Sequence, residues 1–257
     1  MNKKAEIKRL IVDKLLQEPQ ITRTGIIQEH NLRPATVFGA VTELIDEGLL
    51  LEPDRKYKKT GRSSPELQLN SDYAYHIGIE LKVDRIFGVI IDSSGETVTR
   101  IEESFHRRIN RSEVLQLLDG LIKSLRGSFS HSWEKIVSIG FADPGLVDIA
   151  GGISLRAVNL PGWQNIDMRK TLQDLVKLDN ILVMPETSCR TFTEYYSRRG
   201  NPPKSLLHIN LGIGIGSGFI KNGEIFVGDT GHGMELGHIM IIPDGPVCQC
   251  GNHGCLE

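Results

Sequence analysis

The sequence predicts an α/β protein with a small winged helix-turn-helix domain in front, and three observations predict it. The first 70 residues hold three helical patterns and two short strand patterns. From about Asp72 the texture changes to long strands, then to alternating strands and helices. A glycine-rich stretch and a cysteine-crowded segment close the chain. Three regions follow: 1–70, 71–190 and 191–257.

In the first region, "EIKRLIVDKLLQ" places Ile7, Leu10, Ile11 and Leu15 on one helical face. After a break at "EPQ", Thr22 is placed to cap a second short helix. Pro34 suits the first position of a third, in which Val37, Ala40, Val41, Leu44 and Ile45 make an apolar stripe that Gly48 ends. "LLLEP" and "ELQLN" read as two strands flanking a polar loop. Three helices and a two-stranded wing are a DNA-binding arrangement whose third helix enters a major groove. The plainer alternative is a helical cap or dimerisation module. The loop "RKYKKTGR" weighs against it, because it holds five cations and no acid where a wing belongs. Arg33, Thr36, Phe38, Gly39 and Thr42 face away from the stripe, and with Lys58, Lys59 and Arg62 they are the candidate DNA contacts. Gly39 in mid-helix costs about 1 kcal/mol against alanine, which suggests close approach to something.

"AYHIGIEL", "RIFGVIID" and "TVTRIEESFH" read as successive strands, followed by a helix over "SEVLQLLDGLIKSL" with Ser112 as its cap. "KIVSIGFADPGLVD" is a strand running into a Pro-Gly turn. "IDMRKTLQDLVK" is a helix and "NILVMPE" another strand. Beyond a further helix, "SLLHINLGIGIGSGFIKNGEIFVGD" contains a hairpin at Asn222 and Gly223. A meander, an alternation, and then a second block beginning in the same way suggest two related lobes around a ligand-binding cleft.

Composition bounds the function. The chain has 257 residues, 39% hydrophobic and 24% charged, and a formal net charge of -2. That balance excludes a wholesale polyanion binder, so contact with nucleic acid must be local. No apolar run reaches the roughly 18 residues of a membrane helix, and "MNKKAEIKRL" lacks the apolar core of a secretory signal. Four unevenly placed cysteines suit a reduced compartment, so a cytoplasmic location is expected, with no membrane partner.

Three of those cysteines fall in the last ten residues. His238, Cys248, Cys250 and Cys255 offer one imidazole and three thiols, a structural zinc set, with glycines for the tight turns a knuckle needs. The alternative is three reduced, uncoordinated thiols.

"GRSSPELQLN", "DPGLVD", "VNLPGW", "LGIGIGSG" and the closing "ELGHIMIIPDGPVCQCGNHGCLE" together resemble the ROK family of bacterial sugar-responsive repressors and sugar kinases. The resemblance runs from the N-terminal helices to the last residue, and the closing segment is its most specific part. It implies ROK lobes of the actin-like ATPase (ribonuclease H-like) fold around a sugar cleft. It also implies a zinc at the four positions above and a continuation of roughly 100–150 residues, so that the second lobe is incomplete here. Asn159, Glu235, His238 and Glu257 are the implied sugar contacts, with His238 serving both sets, and Glu186 joins them as a candidate effector residue. ROK kinases carry Asp-x-Gly-Gly at the first strand turn, where this chain has Glu80, Leu81, Lys82 and Val83. They carry Asn-Asp where this chain has Pro185 and Glu186. The expectation is therefore no enzyme. The chain reads as a DNA-binding transcriptional regulator, a repressor controlled by a sugar or sugar phosphate and working on operator DNA as a homodimer or higher homo-oligomer. The alternative is an ATP-dependent sugar kinase with an accessory DNA-binding domain.

Overall fold

The computed structural model describes residues 3–53, 65–106, 109–198, 202–228 and 233–257. The chain divides into two compact units: Met1–Tyr75 with Ile91–Thr97, and His76–Ile90 with Val98–Glu257.

The first unit holds α1 (Lys3–Gln17), β1 (Ile21–Thr22), α2 (Arg23–His30), α3 (Pro34–Asp46), β2 (Leu50–Leu51) and β3 (Glu66–Leu69). The Thr22 side chain accepts from the Gly25 amide at 3.0 Å and so starts α2, as expected. Asn31 ends it in the left-handed region that asparagine tolerates. The apolar stripe of α3 closes over Ile7, Ile11 and Leu15 of α1, with Ile26, Leu50 and Leu67 completing the core. Lys14 is buried beside that core, and Glu18 and Glu29 hold its ammonium at 2.7 and 2.6 Å. The sheet has three strands rather than two, in the order β1-β3-β2 and antiparallel throughout. Ile21 supplies the extra strand because it pairs with Leu67 while its side chain enters the core.

The second unit is built on a five-stranded sheet whose first three strands in the chain are β4 (Tyr75–Leu81), β5 (Arg85–Asp92) and β6 (Thr97–Ser104). Next come α4 (Arg111–Ser128), β7 (Ile136–Asp143), β8 (Leu146–Asp148), β9 (Ile153–Arg156), β10 (Gln164–Asp167), α5 (Met168–Val176), β11 (Ile181–Pro185) and α6 (Glu186–Ser197). The chain then runs through β12 (Ser205–Leu211), β13 (Ile215–Lys221) and β14 (Glu224–Ile225). The large sheet has the order β11-β7-β4-β5-β6, with β11 and β7 parallel. Gly88 on β5 leaves room for Leu121 and Leu125, so α4 lies on that face. The cap of α4 corrects the sequence reading. Asn110 rather than Ser112 starts the helix, because its side chain accepts from the Glu113 amide while Glu113 returns a bond to the Asn110 amide. This reciprocal capping box satisfies two donors where a serine inside the helix satisfies none.

Strands β8, β9 and β10 form a separate antiparallel sheet after the Pro-Gly turn. Gly145 of that turn lies directly against the Arg156 carbonyl, so any side chain there would collide with backbone. The third sheet, β12-β13-β14, turns at Asn222 and Gly223, whose φ angles of 52° and 85° suit a tight hairpin.

Gly145→Ala is expected to lower stability by about 1–3 kcal/mol through overpacking. A denaturant midpoint equal to that of the parent chain would contradict the close approach.

Candidate functional site

The cysteine segment folds back on itself. Isolated bridges pair Met240 with Cys255 and Val247 with His253, and the Cys248 amide donates to the Asn252 carbonyl at 2.7 Å. Glycines at 251 and 254 take φ angles of 100° and 64°, which side-chain-bearing residues rarely adopt. The result brings one ligand atom each from His238, Cys248, Cys250 and Cys255 to within 4.8 Å of one another. Cys248 Sγ lies 3.7 Å from His238 Nδ1, and Cys250 Sγ lies 3.8 Å from Cys255 Sγ. Nδ1 therefore faces the thiols, and Nε2 is the ring nitrogen left for another partner.

This knuckle is fastened to β13. Gly237, in the 3-10 turn Leu236–His238, sits against the Ile215 carbonyl so closely that a Cβ would overlap it. The Glu257 amide donates to the Gly237 carbonyl at 2.9 Å, while Glu257 Oε2 accepts from the Ile215 amide at 3.0 Å. The Ser217 hydroxyl donates to the Met234 carbonyl, just before Glu235. Three of the five expected effector residues, Glu235, His238 and Glu257, are thus gathered at the start of β13.

The helix that carries Glu186 packs against the same strand. Glu186 begins α6, and Thr187 and Thr191 of that helix occupy the space that side chains at Gly216 and Gly218 would need. Half of "LGIGIGSG" is therefore plain strand with bare positions for a packed helix. Glu186 does not stand alone. Its Oε1 accepts from Arg190 Nε at 2.7 Å, Arg190 Nη2 reaches Glu80 Oε1 at 2.9 Å, and Lys82 Nζ lies 3.8 and 3.9 Å from the two carboxylates. Burial holds the Glu80 carboxyl above its ordinary range; Lys82 and Arg190 pull it down and Glu186 pushes it up. Arg190 was not found in the sequence, although the spacing from Glu186 is that of helical neighbours.

Asn159 is exposed on the turn between β9 and β10, outside these contacts. Two residues missed from the sequence support that turn. Trp163 is buried and donates Nε1 to Asp143 Oδ2 at 3.0 Å, and the Gly145 amide donates to Oδ1 at 2.9 Å. Burial raises the Asp143 carboxyl above its usual range, and the bonds from Trp163 and Gly145 oppose the rise. The pair lies 20 residues apart, so no local pattern announces it.

On the first unit, Arg33, Thr36, Phe38, Gly39 and Thr42 are all exposed, as their positions off the stripe require. A Cβ on Gly39 would meet nothing within 4 Å, so no close approach within the chain explains this glycine. Lys58, Lys59 and Arg62 lie outside the described residues. No helix among the described residues is long and apolar enough to cross a membrane.

Fold and site define a mixed α/β protein of the kind seen in sugar kinases, preceded by a small helical unit. The chain belongs to the ROK family, whose match covers residues 76–257. A xylose repressor of Caldicellulosiruptor bescii is 32% identical over 252 residues, covering 97% of this chain and 62% of the relative. A xylose repressor of Bacillus subtilis is 26% identical, covering 97% of this chain and 64% of the relative. A glucokinase of Halalkalibacterium halodurans is 30% identical over 71% of this chain and 55% of its own length. The chain thus spans less than two thirds of these curated relatives. Among solved structures, a ROK family transcriptional regulator homologous to the Escherichia coli MLC protein matches 97% of this chain and 63% of its own, with a TM-score of 0.73 and 24% identity. A Streptomyces griseus ROK family glucokinase solved with glucose and AMPPNP matches 71% of this chain and 55% of its own, with a TM-score of 0.62 and 22% identity.

The fourth cysteine, Cys189, sits on α6, where burial first and then the charges of Glu80 and Glu186 push its thiol up to about 11. It is expected to resist a thiol reagent at pH 8 in the folded protein and to react on unfolding. Labelling of folded Cys189 at the rate of a free cysteine peptide would contradict the charge arrangement.

Proposed function

We propose that this chain is the DNA-binding and effector-sensing part of a carbohydrate-responsive transcriptional repressor. One observation carries the reading. A match over 97% of the chain, as with the repressors, must take in the N-terminal helical unit; the glucokinase match of 71% need not. We read that unit, about residues 1–70, as a winged helix-turn-helix. Its α3 would enter the major groove with Arg33, Thr36, Phe38, Gly39 and Thr42 on the side turned toward DNA, and Lys58, Lys59 and Arg62 would meet phosphates.

Residues 71–190 and 191–257 serve as the sensing lobes. Asn159, Glu235, Glu257, Glu186 and the Nε2 nitrogen of His238 are the groups assigned to a sugar or sugar phosphate. Carboxylates, amides and imidazoles suit the paired hydroxyls of such a ligand. His238 Nδ1, Cys248, Cys250 and Cys255 suit zinc, since three thiols and an imidazole within 4.8 Å offer a closed four-ligand set. When bound, the ion would cross-link the four side chains; it takes no part in a reaction. An effector that prefers one arrangement of the lobes would change the spacing of paired helical units in a homo-oligomer and loosen the operator.

Phosphoryl transfer is disfavoured by the charges at the end of β4. A phosphate loop presents bare backbone to nucleotide, whereas Glu80, Lys82, Glu186 and Arg190 here neutralise one another across β4 and α6. The repressor reading therefore predicts no sugar-dependent ADP release.

The test is fluorescence anisotropy with duplex DNA from upstream of the gene, run at two salt concentrations with D-xylose, N-acetylglucosamine and their phosphates. Affinity should fall by orders of magnitude between about 50 and 200 mM salt and fall again with one sugar. Absence of DNA binding together with ADP release would favour a kinase. Metal analysis should find about one zinc per chain; a folded chain that neither carries nor takes up zinc would remove the metal from the account.

A further inference from the structure

We propose that Arg23, at the start of α2, is a phosphate contact of the DNA-binding unit, and that Phe38 acts by holding Arg23 rather than by reading a base. This rests on the DNA-binding reading above.

Two side chains from outside α2 converge on this arginine. Its guanidinium lies over the Phe38 ring of α3, 5.3 Å from the centroid. Its Nε and Nη2 donate to Glu52 Oε1 and Oε2, each at 3.1 Å, just beyond β2. A guanidinium held over a ring and paired along one edge is restrained in position and direction. The guanidinium carries five N–H donors, and Glu52 takes one edge. Among the described residues the Nη1 end makes no hydrogen bond.

Stability alone explains the arrangement poorly. The Arg23 and Glu52 side chains keep 16% and 28% of their surface exposed, and an ion pair still reached by water adds only about 1 kcal/mol. Phe38 is 45% exposed, on the same outward side of α3 as Arg33, Thr36 and Thr42. A large ring left open on a polar face is accounted for if its task is to support the cation beside it. An arginine already fixed in its binding rotamer loses little side-chain freedom on association. The free end of the fork matches a phosphate oxygen pair. In a helix-turn-helix, the helix before the recognition helix crosses the sugar–phosphate backbone, which places the head of α2 near phosphates rather than base edges.

The experiment uses the full chain, an operator duplex and an unrelated duplex, with Arg23→Gln, Phe38→Leu and the double variant. Thermal melting reports whether each variant folds. Arg23→Gln should bind both duplexes about tenfold more weakly. Its plot of log affinity against log salt should be shallower by about one phosphate contact. Phe38→Leu should weaken both duplexes by one common factor and add nothing in the Arg23→Gln background. Should Arg23→Gln fail to fold, Arg23→Lys replaces it: keeping the charge but losing the fork, it should keep the salt slope and lose affinity. An unchanged slope in Arg23→Gln, unchanged affinity in Arg23→Lys, or a Phe38→Leu effect on one sequence only would overturn the proposal. If the parent chain shows no salt-dependent DNA binding, this proposal and the DNA-binding reading fall together. If it binds and the variants bind equally well, only this proposal falls.

Discussion

The fold gathers four potential metal-ligating atoms, from His238, Cys248, Cys250 and Cys255, to within 4.8 Å of one another, and a metal bound by this cluster would fasten the segment. Without a cross-link, residues 239–257 would have little reason to stay folded: Ile239, Met240, Ile241, Ile242 and Val247 are all exposed, and few bonds tie the segment to a core. With the knuckle formed, the segment is anchored through Gly237 to the Ile215 carbonyl and through Glu257 to the Ile215 amide. That attachment sets His238 and Glu257 beside the start of β13.

Strand β13 transmits the constraint. Its glycines at 216 and 218 let α6 approach until Thr187 and Thr191 fill the space. That approach fixes where α6 begins, and hence where Glu186 stands. Arg190, one turn further on, ties Glu186 to Glu80 on β4. One continuous set of contacts thus runs from the knuckle to the strand end where a kinase would hold phosphate. The same contacts that position Glu186 gather the paired charges of Glu80, Lys82, Glu186 and Arg190 there.

Much of this was legible in the sequence, for identifiable reasons. Helices α1 and α3 were readable because their apolar positions recur with helical spacing, and β5 was readable to the residue because its apolar run is bounded by Asp84 and a turn. The clustering of His238, Cys248, Cys250 and Cys255 was readable because metal chemistry restricts residue type more tightly than packing does. Strand β1 was not legible: two residues carry no periodicity, and only pairing with β3, more than 40 positions away, makes them a strand. Asn110 was overlooked because a serine two residues on offered a nearer cap. Asp143 with Trp163, and Glu80 with Arg190, are joined only by the fold.

The most direct test of the central constraint is amide hydrogen exchange at Ile215, Leu256 and Glu257, measured with and without a zinc chelator. Strands β7 and β11 of the large sheet serve as the internal reference. Exchange at the three amides should accelerate on chelation while the reference strands stay protected, because only the attachment to β13 opens. Equal protection before and after chelation would mean that the knuckle does not hold the site together.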